Sequence, residues 1–453
     1  MSKPKSRFIC QNCGASYAKW AGRCENCQEW NTLLEQVAPT ESEAKSALAR
    51  GAVSGKKLAT ASINSIEPSD KQSRLSTNFP DLDTVLGGGI LLGSVNLLAG
   101  QPGIGKSTLL MQICSNVASQ GKAVLYVSGE ESAGQVKLRA LRLGASSEKL
   151  HFASSTSGND IAKTIETGDY DLVIVDSIQT LSLAEISSAP GTVSQVSNCG
   201  NLLIRAAKAT DTAVIIVGHV TKDGTLAGPK VLEHLVDVVL NFEGDRYGGF
   251  KTVRAVKNRF GSTVEVAIFE MASNGLQEVK NPSEALLAER QNTDGSIIMA
   301  TIEGARPLLV EIQALVNPTN YGYPKRTASG FDLNRLNLLI AVLEKRTKLK
   351  LQDKDIFINV VGGLKLNDSA ADLAICMAIA SAAASRKLAD KLVVFGEVGL
   401  GGEIRSVSSP DRRIAEAKKL GFTGAIAPAT IKDKFVLPIT DLRSALVKYM
   451  NQK

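Results

Sequence analysis

The chain has 453 residues, of which 44% are hydrophobic and 21% charged, a composition typical of a folded protein with two to four domains. Its 52 lysines and arginines exceed its 45 aspartates and glutamates, a mild basic excess that permits a nucleic-acid partner without strongly indicating one. The longest uncharged apolar run, residues 373–384, is too short and too rich in alanine to cross a bilayer. The first residues also lack the apolar core of a secretory signal. We therefore expect a cytoplasmic protein with no membrane partner.

Four cysteines near the N-terminus have the spacing C-x2-C-x10-C-x2-C. They are Cys10, Cys13, Cys24 and Cys27. Two such pairs can close a tetrahedral thiolate site around zinc, and a disulfide is the weaker alternative in a reducing compartment. We therefore predict a zinc-binding module over residues 1–33. Its small hydrophobic core is predicted to contain Tyr17, Trp20 and Trp30.

The remaining chain divides into a linker and two α/β regions. Residues 34–75 are rich in small and charged side chains, which predicts a flexible linker. Strand and helix patterns alternate through residues 76–284, which indicates a mostly parallel sheet with helices on both faces. A second α/β region is predicted for residues 285–453.

A phosphate-loop motif, G-x-x-x-x-G-K-[ST], stands between the strand candidate 95–99 and a helix candidate with apolar residues at one face. Glycines let the backbone wrap around phosphate, so that successive N–H groups face it at the start of the helix. Lys106 would reach the β- and γ-phosphates, and the Ser107 hydroxyl would bind magnesium. We predict that the following residues bind ATP: Gly100, Gln101, Pro102, Gly103, Ile104, Gly105, Lys106, Ser107 and Thr108.

Two further strand candidates end in carboxylates. Asp176 ends the apolar run 172–176 and would hold magnesium through water, or else merely cap the strand. Glu130 and Glu131 follow the strand candidate 123–127, and a carboxylate there can polarise the attacking water. We favour Glu130 as this general base, while either glutamate could instead cap the next helix.

His219 follows another strand candidate, 213–217, and precedes a polar loop. A lone histidine is usually structural, but at this strand end it is also a candidate γ-phosphate sensor. In the loop, Lys222 and Lys230 are candidate contacts to a DNA backbone, and a solvated loop is the alternative reading.

The phosphate loop followed by a strand-end glutamate and a strand-end aspartate resembles the RecA-type ATPase core. The pentapeptide Lys257-Asn258-Arg259-Phe260-Gly261 is the signature of the RadA (Sms) family of bacterial DNA-repair proteins. With the four-cysteine module and the run 327–336, the resemblance covers essentially the whole chain. It implies an α/β fold in which a RecA-like P-loop ATPase core follows a zinc module and precedes a Lon-protease-like domain.

The same resemblance implies a function. Members of the family are DNA-dependent, hexameric ATPases that bind single-stranded and branched DNA and drive branch migration with the RecA recombinase. Related ring helicases and recombinases place paired basic residues after the last core strands, where they reach the nucleotide of the neighbouring subunit. The resemblance implies this role for Lys257 and Arg259, and it fits their alternate positions, which project on one side of a strand. A solvated basic strand end is the alternative.

The C-terminal region, from residue 303 onward, is similar to the Lon-protease domain as it occurs in this family. Lon proteases use a serine–lysine dyad. Here Ser369 lies close to the serine position, but Asp411 stands where the lysine would be. Without an amine to accept its proton a serine is a poor nucleophile, so we expect no proteolysis. Basic residues that suit a DNA backbone, or are simply solvated, are Lys345, Arg346, Lys348 and Lys350.

Two other functions stay open on the sequence alone. One is a ring-forming ATPase scaffold that acts on a protein partner, and the less favoured one is an ATP-dependent protease. The sequence does not give the polarity of translocation, the preferred DNA structure, the partner helicase or recombinase, or whether the zinc module contacts DNA or protein.

Overall fold

The computed structural model describes residues 6–10, 16–25, 30, 32–37, 62, 64, 74–219, 231–244, 249–319 and 322–450. The chain forms two compact units, one of residues 1–241 with 255–261 and one of residues 242–254 with 262–453. Four predicted site residues, Cys13, Cys27, Lys222 and Lys230, lie outside the described residues, as does most of the linker. The predicted domain bounds at 33, 75 and 284 stay predictions.

Three short antiparallel strands form the described part of the N-terminal module. They are β1 (Ser6–Cys10), β2 (Ser16–Tyr17) and β3 (Leu33–Val37), in the order β2-β1-β3. Cys10, Cys24 and Leu33 are buried at the centre of the module, and Tyr17 packs against them as predicted.

The other two aromatic side chains of this module are exposed. Trp20 has 59% and Trp30 67% of its surface accessible, so the prediction that both belong to the core is wrong. The physical reason is size, because a module of this length has too small an interior to enclose two indoles.

The first unit continues with an α/β sheet and its helices. The strands are β4 (Arg74–Leu75), β5 (Ile90–Leu91), β6 (Val95–Gly100), β7 (Val124–Ser128), β8 (Leu150–Ser154), β9 (Leu172–Asp176), β10 (Ala213–His219), β11 (Val238–Gly244) and β12 (Lys251–Asn258). The helices are α1 (Pro80–Val85), α2 (Lys106–Ser119), α3 (Ala133–Arg142), α4 (Gly158–Thr167), α5 (Val193–Thr210) and α6 (Val231–Leu235). Strands β11 and β12 each have residues in both units.

Strands β6, β10, β9, β7 and β8 lie side by side in that order and are all parallel. Every residue of β6, β7 and β9 is buried, which is typical of parallel strands with both faces covered. The predicted parallel sheet is therefore confirmed. The register places His219 beside Gly100 and Ser128 beside Asp176, so the polar residues that follow these strands meet at one edge.

The second unit contains the remaining elements. Its further strands are β13 (Val266–Ala272), β14 (Gly275–Glu278), β15 (Ser296–Glu303), β16 (Arg306–Pro318), β17 (Arg326–Ser329), β18 (Lys354–Val360), β19 (Leu392–Val394), β20 (Glu397–Val398), β21 (Ile404–Arg405), β22 (Gly424–Pro428) and β23 (Val436–Ile439). Its helices are α7 (Pro282–Leu287), α8 (Leu333–Thr347), α9 (Ala371–Ala384), α10 (Pro410–Lys419) and α11 (Leu442–Met450).

A seven-stranded mixed sheet, in the order β17-β18-β16-β15-β19-β22-β23, organises this unit. Helix α9 packs against β15 and β16, and its residues from 371 to 381 are all buried. None of the helices in the described part of the chain is long and apolar enough to span a membrane.

Arg413, on α10, is completely buried in the second unit. Its Nη1 donates to Asp368 Oδ2 at 2.7 Å and to the Ala300 carbonyl at 2.6 Å, and its Nε donates to the Ser408 carbonyl at 3.0 Å. Burial alone would raise the pKa of Asp368, but the hydrogen bond and charge of Arg413 outweigh it and hold this pKa below its ordinary value. The pair therefore contributes stability above the ordinary carboxyl pKa and loses it as the pH falls through the lowered pKa.

Replacing Arg413 is expected to destabilise the second unit strongly. Arg413→Leu leaves the largely buried Asp368 carboxylate without its counter-charge, which should lower the free energy of unfolding by about 3–5 kcal/mol. Denaturant unfolding at pH 7 measures the loss, and the difference from the wild type should narrow in acid. The matched control is Arg412→Leu, which removes an exposed arginine and should cost about 1 kcal/mol or less. Equal losses in the two variants would contradict this assignment.

Candidate nucleotide site

The phosphate loop connects β6 to α2 through two glycines in left-handed conformations. Gly103 has φ 78° and Gly105, directly before the helix, has φ 117°, values that side-chain-bearing residues rarely adopt. Helix α2 begins at Lys106, so its unpaired N–H groups open toward the loop. This geometry fits a bound phosphate chain.

Lys106 is largely buried and its ammonium group contacts the loop itself. Its Nζ donates to the carbonyls of Gly100 at 2.7 Å and Gln101 at 3.0 Å. It also lies 3.3 Å from His219 Nδ1, at the end of the neighbouring strand β10. The lysine therefore sits between the phosphate loop and the candidate sensor.

Asp176, at the end of β9, is 6% exposed and accepts hydrogen bonds from two side chains. Ser107 Oγ donates to its Oδ2 at 2.9 Å, and Tyr126 Oη donates to the same oxygen at 2.6 Å. Burial and the negative charge of Asp176 raise the pKa of Tyr126, which keeps its hydroxyl protonated and donating. A serine hydroxyl beside a carboxylate suits magnesium, which favours oxygen ligands.

Glu130 and His219 face one another at the ends of β7 and β10. His219 Nε2 lies 3.3 Å from Glu130 Oε1, and Ser177 Oγ donates to the same carboxylate oxygen at 2.5 Å. Because His219 also contacts Lys106, one hydrogen-bonded chain joins Glu130 to the phosphate loop. The carboxylate is 42% exposed, so a water molecule can reach it.

Glu131 has a different environment from its neighbour. Both of its carboxylate oxygens are paired with the guanidinium of Arg139 on α3, and the contact from Nη1 to Oε2 is 2.6 Å. This fork-to-fork geometry fixes the side chain and occupies both oxygens.

Lys257 and Arg259, at the end of β12, contact residues of their own chain. Lys257 Nζ donates to the carbonyls of Glu233, His234 and Val236, at 2.9, 3.1 and 2.7 Å. It thus caps the C-terminal end of α6, where a cation is favourable. Arg259 is 54% exposed and its guanidinium lies 3.7 Å from Asp237.

Three residues of the site could not be read from a motif. Tyr126 had one weak signal, because it is the single aromatic residue of a buried strand. Ser177 follows Asp176 directly, but nothing in the sequence pairs it with Glu130. Arg139 lies eight positions after Glu131, and their contact depends on how α3 begins.

The N-terminal cysteines fit a thiolate metal site as far as they are described. Cys10 and Cys24 are both buried, with exposures of 1% and 0%. Thr32 Oγ1 lies 3.3 Å from Cys10 Sγ, and Tyr17 Oη lies 3.3 Å from Cys24 Sγ. Hydroxyls at this distance are the outer-shell partners that zinc thiolates commonly have.

Ser369 and Asp411 are both exposed, just before and at the start of helices α9 and α10. Within residues 322–450, no lysine is hydrogen-bonded to the Ser369 hydroxyl. The charged pair at this place is instead Asp368 with Arg413.

Three protein families have models that match parts of the chain. Residues 64–225 match an AAA domain, residues 8–35 a rubredoxin metal binding domain and residues 336–431 the subunit ChlI of Mg-chelatase. Over 441 residues the chain is 48% identical to a DNA repair protein RadA of Halalkalibacterium halodurans, which covers 97% of this chain and 96% of that protein. The chain belongs to the RadA family of DNA repair proteins. The RadA of Bacillus subtilis is 48% identical over 440 residues, covering 97% of this chain and 95% of that protein.

A more distant relative is also a DNA repair protein RadA. The RadA of Aquifex aeolicus is 42% identical over 460 residues, covering 98% of this chain and 99% of that protein. Among solved structures, a RadB recombinase is 22% identical with a TM-score of 0.38, covering 46% of this chain and 100% of that chain. The predicted fold class is confirmed: a P-loop ATPase core, an N-terminal zinc-type module and a Lon-like C-terminal region. The matched AAA domain makes ATP hydrolysis the chemistry of the core.

The charge state of Lys106 depends on its surroundings. Burial lowers the pKa of its ammonium to about 8, although the carboxylates of Asp176 and Glu130 act in the opposite direction. Part of the free protein therefore carries a neutral lysine at mildly alkaline pH. ATP phosphates favour the ammonium form, so binding should raise this pKa and take up protons.

ATP binding near pH 8 is accordingly expected to take up roughly half a proton per site, and the affinity should fall as the pH rises further. Isothermal titration calorimetry in two buffers of different ionisation enthalpy measures this uptake. Lys106→Arg, whose guanidinium stays charged, is the control and should show none of it. Equal uptake by the variant and the wild type would contradict the assignment to Lys106.

Proposed function

We propose that this protein is a DNA-repair motor, an ATPase stimulated by DNA that binds single-stranded and branched DNA and drives branch migration together with RecA. The observation that carries the proposal is the hydrogen-bonded chain from Lys106 through His219 to Glu130, in a member of a DNA-repair family. These hydrogen bonds connect the phosphate site to the C-terminal end of β10, where His219 lies.

The site residues divide the hydrolysis chemistry among themselves. The phosphate-loop N–H groups and Lys106 would hold the β- and γ-phosphates, and Ser107 with Asp176 would hold magnesium, which neutralises developing phosphate charge when bound. Tyr126 would orient Asp176 through the hydrogen bond to Oδ2. Preorganised groups of this kind cost no reorganisation during the reaction.

Glu130 is the better candidate for the general base. It is partly exposed, and its hydrogen bonds come from Ser177 and His219, both at the nucleotide site. Glu131 is held away by both nitrogens of Arg139. The contacts therefore favour the interpretation in which Glu130 polarises the attacking water.

His219 is suited to the role of sensor, because its two ring nitrogens face Lys106 and Glu130. A γ-phosphate drawn toward Lys106 would compete for the first of these contacts. The loss of that phosphate after hydrolysis would restore the contact between Lys106 and His219. The histidine would thus report hydrolysis to the residues after β10.

Arg259 is proposed to act on the nucleotide of a neighbouring subunit in a homohexamer. Its side chain is more than half exposed, and among the described residues it pairs with Asp237 at 3.7 Å. Lys257 caps α6 and is proposed to act beside Arg259 at the same subunit interface. Four cysteines, Cys10, Cys13, Cys24 and Cys27, are proposed to hold zinc.

The two glutamates provide a direct test of this function. Glu130→Gln should lower DNA-stimulated ATP hydrolysis by a factor on the order of 10² to 10⁴, because a lost general base has effects of this size. Glu131→Gln is the matched control and should retain most activity, with ATP binding unchanged in both variants. Hydrolysis is measured with and without single-stranded DNA.

Two outcomes would overturn the proposal. Equal losses in both variants would remove Glu130 from its role. No stimulation of the wild type by DNA would favour the ring scaffold with a protein partner instead.

A mixing experiment tests the subunit interface. Arg259→Ala should bind ATP almost normally but hydrolyse it poorly, by a factor on the order of 10³ or more if the cation acts in trans. A Lys106→Ala subunit retains its own Arg259 and can lend it to an Arg259→Ala neighbour with an intact phosphate loop. Mixed rings should therefore regain activity. Activity that stays at the sum of the two separate variants, in rings shown to have mixed, would place Arg259 within its own subunit.

A further inference from the structure

The two exposed indoles of the N-terminal module lie close to one another. A Cβ placed on Gly22 would be 3.7 Å from the Trp20 ring and 3.7 Å from the Trp30 ring, so both rings border the same glycine. Tryptophan is usually among the more buried residues, and here more than half of each side chain is accessible. The buried centre of the module consists of other residues, so the indoles do not serve its core.

Cationic side chains accompany these rings. The Arg23 guanidinium lies 5.7 Å from the centre of the Trp30 ring, and the two residues pair across an antiparallel bridge. Lys19 adjoins Trp20 in the chain and is exposed. The sequence between the first of these cations and Trp30 also contains two carboxylates, Glu25 and Glu29. The surface thus combines two accessible aromatic side chains with two cationic ones, Lys19 and Arg23.

This combination matches the chemistry of single-stranded nucleic acid. Unpaired bases stack on aromatic side chains, and lysine and arginine contact the phosphates between them. A duplex conceals its base faces, so it could use only the cations.

We propose that Trp20 and Trp30 form a base-stacking platform for single-stranded DNA, with Lys19 and Arg23 on its phosphate backbone. The proposal rests on the proposed function, in which the protein binds single-stranded DNA. It assigns part of that binding to the zinc module, through contacts that do not depend on base identity.

The sequence makes this surface unusually easy to observe, because the chain has only 2 tryptophans and both belong to it. Tryptophan emission of the full-length protein therefore reports on the platform alone. An unlabelled dT oligonucleotide should quench this emission. The quenching should saturate at the same concentration as the anisotropy of a labelled dT oligonucleotide, which measures binding anywhere on the protein.

Variants separate stacking from charge. The double variant Trp20→Ala/Trp30→Ala should weaken binding by about tenfold or more, since one stacked base is worth roughly 5- to 150-fold in affinity. The double variant Trp20→Phe/Trp30→Phe keeps aromatic faces and should recover most of the loss. The dependence of log affinity on log salt should stay unchanged in both, whereas Lys19→Ala should reduce its slope by about one.

Controls and outcomes distinguish this proposal from the function on which it rests. Leu138→Ala removes a side chain that is 70% exposed on α3 and should leave binding unchanged. Zinc content and ATP hydrolysis without DNA should be equal in all variants, which shows that the module still folds.

Binding by anisotropy with no quenching, and with wild-type affinity in the double alanine variant, would overturn the platform while leaving the proposed function intact. Emission that responds to RecA but not to DNA would assign the surface to a protein partner and overturn it too. No binding by anisotropy at all would contradict the proposed function itself.

Discussion

The nucleotide site depends on the parallel alignment of β6, β10, β9 and β7. Because these strands run in the same direction and in the observed register, their C-terminal ends lie at one edge of the sheet. Each strand then contributes polar groups directly after its last apolar residue. The site is built from residues that follow several strands. A shift of one residue in the register of β7 or β10 would turn the side chains that follow it away from the other site residues. The apolar packing of the sheet interior therefore holds the geometry of the candidate site.

At that edge of the sheet, each charged side chain of the site has an oppositely charged or hydrogen-bonding partner close by. Lys106 is buried beside Asp176 and Glu130, and each carboxylate has hydroxyl donors of its own. The buried charges of Lys106 and Asp176 are tolerated because their partners are already in place. The same arrangement leaves Glu130 oriented but accessible to water, while Arg139 immobilises its neighbour in the chain.

Much of the site was predictable from local pattern. The apolar run at 172–176 is bounded by polar residues and became β9 with the predicted ends, and the phosphate-loop motif fixed both its glycines and the start of α2. Pairings between distant residues were not predictable, as with Tyr126 and Asp176 or Arg413 and Asp368, because they depend on which elements pack together. The prediction that Trp20 and Trp30 are buried was wrong for another reason. Residue type indicates burial only where the module has an interior large enough to accept the side chain.

Helix α9 has a consequence for how the chain is made. Its run of alanines and larger apolar residues, buried on every side, would be an aggregation hazard if it waited long in an unfolded chain. Its main partners, β15 and β16, lie at 296–318, before it in the sequence. During synthesis from the N-terminus these two strands therefore leave the ribosome before the helix that packs on them. A circular permutation that placed α9 ahead of β15 would reverse this order and expose the run until the strands followed.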